Sequence, residues 1–330
     1  MAVPGLVRRA VASRAVGGLV EALDRLLPGR RDVLGVLTFH HVSADDGRAA
    51  PGLLSATPES FADLLDALLR RHRFIPIEDL LERSRGGPRL ARRSLLLTFD
   101  DAYTDFAEHA WPRIHERRLP VVLFVPTAYP DAPDRMFWWE RLYAAILATR
   151  IPAIDVPGRT LPLATSSDKQ TAYRTLRSSL KAMDHQQLVV RVDELVAQLC
   201  ADALASPAGG ARVLGWDELR RLRAEGVALA PHTRTHPLLT GLPRAASESE
   251  IAGSREDLAR ETGSDLPVFA YPSGAWSPSV AEAARAAGIE VGFTTDRGVN
   301  VLDGADWLAL RRINVSARMP SAVVRAQVLL

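Results

Sequence analysis

Cysteine is almost absent from this chain, because Cys200 is the single one among 330 residues. One thiol excludes an internal disulfide framework and is compatible with a reducing compartment. The chain also contains no uninterrupted run of about 18 apolar residues, so the sequence indicates no helix that spans a bilayer. Neither sign of charge dominates: 41 basic and 39 acidic residues give a net charge of +2, which is too balanced to favour nucleic-acid binding.

The N-terminal segment also lacks the features of an export signal. Apolar residues recur at helical spacing from Leu6 to Leu27, with Arg8, Arg9 and Arg14 near the start, so we predict an amphipathic helix within residues 1–30. It has no continuous apolar stretch and no clear cleavage site, which favours a cytoplasmic location. Its basic end would allow a peripheral membrane contact, and packing against the rest of the protein is the alternative.

Two short polar segments each follow an apolar run and carry groups suited to binding a metal. Asp100 and Asp101 end the run that begins at Ser94, and strands of α/β folds present functional side chains at their C-terminal ends. Two adjacent carboxylates repel each other, so a site that keeps both needs a cation or a shared proton. His232 and His236 are four residues apart and can reach one ion from the same side of their segment. An Asp-His-His set leaves a coordination position for water, which indicates a mononuclear metal hydrolase.

Each segment alone has a simpler interpretation. The two aspartates could cap a helix, and the two histidines could belong to a surface loop. Their joint presence favours the metal site. A third segment, residues 268–276, runs from an apolar strand into a Pro/Gly turn with two aromatic residues, and could form the wall of a ligand pocket.

In this order and spacing the three segments resemble the polysaccharide deacetylase family, whose catalytic region is the NodB homology domain. The resemblance covers residues 34–315. It implies that Asp100 is the general base, that Asp101 binds the metal, and that His232 and His236 are the other two ligands. Residues 269–274 are similar to the family's third motif, and residues 293–300 to a strand end found late in many members. On this basis we assign substrate contacts to Tyr271, Trp276 and Asp296.

The chain departs from the family pattern at two positions. Ala270 stands where many members carry an Arg that pairs with the catalytic Asp, and no His follows His236, although the family's fifth motif usually offers one as general acid. We predict that Arg312 replaces the absent Arg by pairing with Asp100, because it follows an apolar run that could end at the site. We also predict that His40 supplies or orients the proton for the leaving group. A surface Arg and a packed or solvated His are the alternatives.

The resemblance implies a metal-dependent hydrolase that removes an N-acetyl group from an amino sugar or glycan. One divalent ion would activate water; zinc suits the nitrogen and oxygen ligands, and cobalt, nickel, manganese or iron would also be accepted. Asp100 would take the proton of the water. Because Pro272 has no N–H, we assign the backbone N–H of Ser273 to the negative charge of the tetrahedral intermediate. The sequence does not distinguish N-acetyl from O-acetyl sugars.

Alternating strand and helix patterns predict an α/β fold, and the family resemblance specifies a distorted (β/α)7 barrel. We place the barrel at residues 31–130 and 213–330, and a helical insertion at 131–212. Trp138 and Trp139, at the start of the insertion, could stack on sugars but fit better as anchors of the insertion on the barrel.

Three other functions fit the sequence less well. A relative with the same fold could hydrolyse a different C–N bond, such as that of a cyclic amide or a formyl group. A non-catalytic glycan-binding protein could have retained the fold, although the presence of Asp100 argues against it. An interaction protein could dock to a membrane assembly through the N-terminal helix.

Overall fold

The computed structural model describes residues 31–44, 50–132, 135–199 and 212–329. The helix predicted within residues 1–30 lies outside the described residues. So does Cys200, together with the neighbouring residues 201–211 of the predicted insertion.

Thirteen strands are present in the described chain. In chain order they are β1 (Val33–Phe39), β2 (His41–Val42), β3 (Leu54–Ala56), β4 (Arg73–Phe74), β5 (Ser94–Phe99), β6 (Val122–Val125), β7 (Ala153–Val156), β8 (Arg159–Pro162), β9 (Ala228–Pro231), β10 (Val268–Ala270), β11 (Val291–Arg297), β12 (Asn300–Val301) and β13 (Leu310–Asn314).

Seven of these strands form a parallel sheet that curls into a nearly closed barrel, in the order β10-β11-β13-β1-β5-β6-β9. The two strands at the ends of this order, β9 and β10, lie next to each other, but no ladder joins them within the described chain. This is the distorted (β/α)7 barrel that the sequence predicted. The short strands β4 and β12 extend the sheet beside β5 and β1, and β7 and β8 form a separate antiparallel hairpin.

Ten α-helices surround or extend the barrel in the described chain. They are α1 (Pro58–Leu69), α2 (Ile77–Ser84), α3 (Trp111–Glu116), α4 (Trp138–Ala148), α5 (Ser166–Lys181), α6 (His185–Leu199), α7 (Trp216–Ala224), α8 (Arg244–Thr262), α9 (Pro278–Ala286) and α10 (Ser321–Leu329). No helix within these described ranges is both long and apolar enough to cross a bilayer.

The helical segment after β5, residues 106–116, consists of two parts. A π-helical turn, Phe106–Ala110, precedes α3, and Pro112 is the second residue of α3. Proline has no N–H to donate to a carbonyl of the preceding turn, so a regular α-helix cannot run through this position without losing a hydrogen bond. The local change in helix type follows from this residue.

Alternation along the strands separates two layers of the core. Leu34, Val36 and Leu96 belong to the cluster that fills the barrel, whereas Leu37 and Leu97 belong to the cluster between the sheet and the helices. Side chains of a strand alternate between its two faces, so odd-numbered and even-numbered residues of one strand join different layers. The same alternation brings polar side chains from β5 and β13 to one end of the barrel interior.

The segment between β6 and α7 contains α4, the β7–β8 hairpin, α5 and α6. The buried ring of Trp139 stacks on Phe137 with 4.5 Å between ring centroids, and Tyr143 of α4 packs against Tyr173 of α5 at 4.9 Å. Trp139 therefore anchors this segment in the core, and its ring is not a solvent-exposed face for sugar stacking. Trp138 is only partly buried.

Candidate active site

The C-terminal ends of β5 and β13 place a carboxylate and a guanidinium together inside the barrel. Leu96 and Leu310 fill the barrel interior, and residues at even spacing from them on a strand point the same way. Asp100 follows Leu96 by four residues and Arg312 follows Leu310 by two. Both side chains consequently reach the same end of the barrel interior.

Arg312 forms the ion pair with Asp100 that the sequence suggested. Its two terminal nitrogens donate to the two oxygens of Asp100 at 2.8 and 2.7 Å, and its Nε donates to the carbonyl of Thr294 at 2.8 Å. Arg312 is fully buried and Asp100 is 3% exposed. Burial is the largest single effect and opposes the ionisation of Asp100, but Arg312, through its charge and its hydrogen bonds, and the neighbouring histidines together lower the pKa of this carboxyl. Asp100 is therefore an ionised, oriented carboxylate.

The next residue, Asp101, lies beside the two predicted histidine ligands. Its Oδ1 is 3.6 Å from Nε2 of His232 and 3.3 Å from Nε2 of His236. One ligand atom from each of the three buried residues lies within 4.8 Å of the others. The structure thus brings together all three side chains that the sequence assigned to a metal.

These three residues fit a divalent metal ion. Oδ1 of Asp101 is buried and has no hydrogen-bond partner, which is costly for an ionised carboxylate unless a cation is bound. Nδ1 of His232 lies 2.6 Å from the carbonyl of Ala270 and donates to it, which leaves the lone pair of Nε2 for a ligand bond. Burial lowers the pKa of His232 to about 4, so its imidazole is neutral, as metal binding requires.

A polar loop holds the two histidines in position. The Thr233 hydroxyl donates to the carbonyl of His232 and accepts from the N–H of His236. Glu250 on α8 accepts hydrogen bonds from the N–H of Arg234 and from both the N–H and the hydroxyl of Thr235. The loop is constrained at every residue between the two ligands.

Backbone strain is concentrated at the same site. Of the eight non-glycine residues with positive φ in the described chain, five belong to the site segments: Asp101, Ala102, Thr233, His236 and Ser273. L-residues seldom adopt this conformation, and it persists where the surrounding structure holds it for function. Such a cluster is typical of a preorganised active site.

The other two predicted catalytic residues lie at the rim. His40 follows β1, and the charges of both Asp100 and Asp101 act on it, although burial is the larger effect and lowers its pKa. Ser273 is exposed in a tight turn after β10, with φ of 55°. Its N–H donates to no acceptor in the described chain, so it is free to bind an anionic oxygen. The catalytic roles assigned to His40, Ser273 and Arg312 stay predictions.

The structure corrects the substrate contact assigned to Tyr271. Its ring is fully buried against Phe269 in an apolar cluster that also contains Ile251 and Val280 of the outer helices. The alternation of side chains explains the error. Neighbouring residues of a strand point to opposite faces, so Tyr271 points out of the barrel because Ala270 points into it. Trp276 is partly buried and packs on this cluster. Asp296 is exposed near the C-terminal end of β11. Among the described residues, the side chains of Trp276 and Asp296 form no hydrogen bond or ion pair with the site, and their substrate contacts stay predictions.

Sequence reasoning missed two groups from the long segment between β6 and α7. Nζ of Lys181, the last residue of α5, donates to Oγ of Ser273 at 3.0 Å. His185 begins α6; burial lowers its pKa, and the charges of Glu250 and His236 also act on it. The turn between α5 and α6 therefore lies over the site. No local pattern could have identified these residues, since the contact with Ser273 spans 92 positions in the chain.

A third group that the sequence did not reveal lies beneath the site. Nδ1 of His41 lies 2.7 Å from Oδ2 of Asp105, and its ring stacks on Tyr103 at 3.7 Å. The hydroxyl of Tyr103 donates to Glu140 of α4 and accepts from the indole N–H of Trp139, each at 3.3 Å. The ring of Trp139 in turn packs at 4.7 Å on that of His236, one of the predicted metal ligands.

The fold and this site together define a class of protein, and comparison with known sequences agrees with it. A sequence model described as polysaccharide deacetylase matches residues 88–292, which is more than half of the chain. The chain therefore belongs to the polysaccharide deacetylase family.

Two curated proteins are similar over part of the chain. An uncharacterised protein of Streptomyces coelicolor is 34% identical over 176 residues, which are 52% of this chain and 66% of that protein. YxkH of Bacillus subtilis, whose name places it among polysaccharide deacetylases, is 26% identical over 112 residues, 34% of this chain and 40% of YxkH. The chain thus matches less than two thirds of the length of either relative.

Solved structures share the fold at low sequence identity. The Streptococcus pyogenes deacetylase PplD, solved in complex with acetate, has a TM-score of 0.59 at 16% identity, over 91% of this chain and 99% of that one. IcaB from Ammonifex degensii also has a TM-score of 0.59, at 19% identity, over 91% of this chain and 98% of that one. These similarities extend across the barrel and show that the fold is that of the deacetylases.

Proposed function

We propose that this protein is a metal-dependent hydrolase that removes an N-acetyl group from an amino sugar or glycan and releases acetate. One observation carries the proposal: the buried set of Asp101, His232 and His236 adjoins a carboxylate, Asp100, that Arg312 keeps ionised. Membership of the polysaccharide deacetylase family supports the same reaction.

The ligand set assigns three residues to the metal. Asp101, His232 and His236 would hold one divalent ion; their oxygen and nitrogen donors suit zinc and are also accepted by cobalt, nickel, manganese or iron. When bound, such an ion supplies Lewis acidity, which brings the pKa of water near neutrality and polarises a carbonyl group.

The remaining residues handle protons and charge. Asp100 accepts a proton from water as the water attacks the acetyl carbonyl, and Arg312 keeps Asp100 ionised until then. The free N–H of Ser273 donates to the oxyanion that develops on the acetyl group. His40 lies beside both aspartates, where it supplies or orients the proton that the departing amine needs.

Acetate release tests this function. We expect zinc-reconstituted protein to release acetate from at least one N-acetyl sugar in a panel of free, nucleotide-linked and oligomeric substrates. A chelator should abolish the activity, and added zinc should restore it. Asp100→Asn, which is close in shape but cannot accept the proton, should lower kcat by about 100-fold or more.

Two results would contradict the proposal. One is acetate release that Asp100→Asn leaves unchanged. The other is a lack of release from protein that binds one equivalent of metal, tested on O-acetyl as well as N-acetyl sugars. The second result would redirect the search to another C–N bond or to glycan binding.

A further inference from the structure

The reaction needs a proton donor that the barrel does not supply in the usual place. When the C–N bond breaks, the amine must take up a proton, since an amide anion is too basic to leave. No histidine follows His236 in the sequence. A donor therefore has to come from elsewhere in the chain.

Lys181 reaches the site from the end of α5. Its ammonium donates to Oγ of Ser273, the residue whose N–H is free for the oxyanion. The contact places an ammonium group beside the turn that would receive the carbonyl oxygen of the substrate. The negative charge of Asp101 also acts on Lys181, which shows that the ammonium lies within electrostatic range of the ligand set.

In the part of the chain that the structure describes, no carboxylate forms an ion pair with this ammonium. Within the described chain, Ser273 is the only hydrogen-bond partner of Lys181, and no Asp or Glu forms an ion pair with it. The neighbouring cation on its own helix is Arg177, one turn earlier, and Nε of Arg177 is buried and unbonded. A half-buried ammonium that faces a second cation releases a proton more readily than an exposed lysine.

We infer that Lys181 is a catalytic residue that donates the proton to the departing amine, an inference that rests on the proposed deacetylase function. As the tetrahedral intermediate collapses, its C–N bond breaks and the nitrogen takes a proton from the ammonium of Lys181. The products are a free amine and acetic acid, and Lys181 is left neutral. The proton that Asp100 took from water then returns to Lys181 through solvent. In this scheme His40 orients the proton transfer.

The electrostatics agree with this role. Burial and, to a smaller extent, the charge of Arg177 lower the pKa of Lys181 to about 8, and the charge of Asp101 opposes this shift. A group with such a pKa is mostly protonated at neutral pH and can still give up its proton, which is the condition for an efficient general acid.

Three variants separate proton donation from positioning. Lys181→Met removes the ammonium, and Lys181→Arg keeps the charge and hydrogen-bonding capacity but cannot release a proton near neutral pH. Lys169→Met is the matched control, because Lys169 is the only other lysine, lies on the same helix and donates to the carbonyls of Leu147 and Thr149. Each variant is assayed on an N-acetyl sugar and on 4-nitrophenyl acetate, whose leaving group needs no proton.

We expect kcat on the amide to fall about 100-fold in both Lys181→Met and Lys181→Arg, with little change in KM. The ratio of amide to ester activity should fall at least about 30-fold, and the alkaline limb of the pH profile for kcat should disappear. Lys169→Met should resemble the wild type. Wild-type kcat in Lys181→Arg, or equal losses on amide and ester, would overturn the inference while leaving the deacetylase function intact.

A direct titration gives a second readout that needs no activity. Protein labelled with ¹³C at the lysine ε-carbon contains two signals, and Lys181→Met identifies the one from Lys181. In metal-free protein this signal should titrate near pH 8, clearly below the signal of Lys169. Titration of Lys181 at the ordinary lysine value of about 10.4 would count against the inference. If the wild-type protein hydrolysed no acetylated substrate at all, that result would reject the proposed function itself and not only the role of Lys181.

Discussion

The guanidinium of Arg312 reaches Asp100 from β13, whereas the family position that often carries such an arginine, Ala270, lies on β10. Both residues belong to strands whose inward-facing side chains end at the same rim of the barrel. The physical requirement is a buried cation against the base, and either strand can supply it. In this chain β13 supplies the cation that β10 supplies in many relatives, so the sequence motif differs while a buried guanidinium still pairs with Asp100.

Removal of Arg312 should destabilise the protein chiefly by leaving Asp100 charged and unpaired. We expect Arg312→Met to lower the free energy of unfolding by about 3–5 kcal/mol in metal-free protein at pH 7. The double variant Asp100→Asn/Arg312→Met should recover a large part of this loss, because it removes both charges of the pair. Urea unfolding of the wild type and the two variants measures the effect. A double variant less stable than Arg312→Met would show that the unpaired carboxylate is not the cause.

If Asp100 is the base, as proposed, the same pair should set the acid limit of activity. Because Arg312 lowers the pKa of Asp100, the ionised base persists at pH values below the ordinary range for an aspartate. The associated stability is present above the unfolded-state value of about 3.9 and is lost as the pH falls through the lower folded-state value. Arg312→Met lacks this effect on the pKa of Asp100, so the acid limb of its pH profile for kcat should lie at higher pH than that of the wild type.

At the scale of elements, the loop between β9 and α8 carries both histidines proposed as metal ligands, and α8 holds this loop. Glu250 binds two backbone N–H groups and one hydroxyl of this loop, so the geometry of the ligands depends on a helix that contributes no ligand itself.

Loss of this support should weaken metal binding. We expect Glu250→Ala to raise the Kd for zinc about 10- to 100-fold, as measured by competition with a chelating dye. Glu248→Ala on the same helix breaks only an exposed ion pair with Arg244 and is the control. Equal zinc affinity in the two variants would mean that the loop keeps its shape without Glu250.

Strands and helices with a clear pattern of apolar residues were predictable from the sequence, whereas contacts between distant segments of the chain were not. Val33–Phe39 and Ser94–Phe99 are mostly apolar runs followed directly by polar residues, a pattern that indicates buried strands, and both form strands of the barrel. The β7–β8 hairpin was missed, although Pro157 and Gly158 are turn residues between two short runs. The alternation of side chains along β10 and the residue after it would also have placed Tyr271 outside the barrel, so this position was predictable from the sequence. By contrast, the approach of Lys181 to Ser273 depends on how α5 docks, which no local pattern encodes.

At the scale of the whole molecule, a buried charged network connects three distant segments. His41 of β2 pairs with Asp105, which precedes α3, and lies 3.7 Å from Glu140 of α4. Burial opposes the charge on His41, but the charge and hydrogen bond of Asp105 raise its pKa to about 10. The network ties the barrel to α4 through an imidazolium ion.

Stability should therefore fall in alkaline solution. The folded protein keeps the proton of His41 up to about pH 10, whereas the unfolded chain loses it near pH 6.5. The contribution of His41 is complete below about pH 6.5 and decreases above it, by up to about 1.4 kcal/mol per pH unit. We expect the difference in unfolding free energy between the wild type and His41→Gln to shrink from pH 7 to pH 10. Parallel stability curves would contradict a charged His41.

The gap in the sheet has a mechanical consequence. β9 and β10 share no ladder in the described chain, yet Nδ1 of His232, which follows β9, donates to the carbonyl of Ala270 at the end of β10. A residue suited to hold the ion thus also links the two edges of the barrel. A force that displaces His232 would therefore act on both edges of the sheet. Slow separation of β9 from β10 and release of a bound ion would then be the same motion.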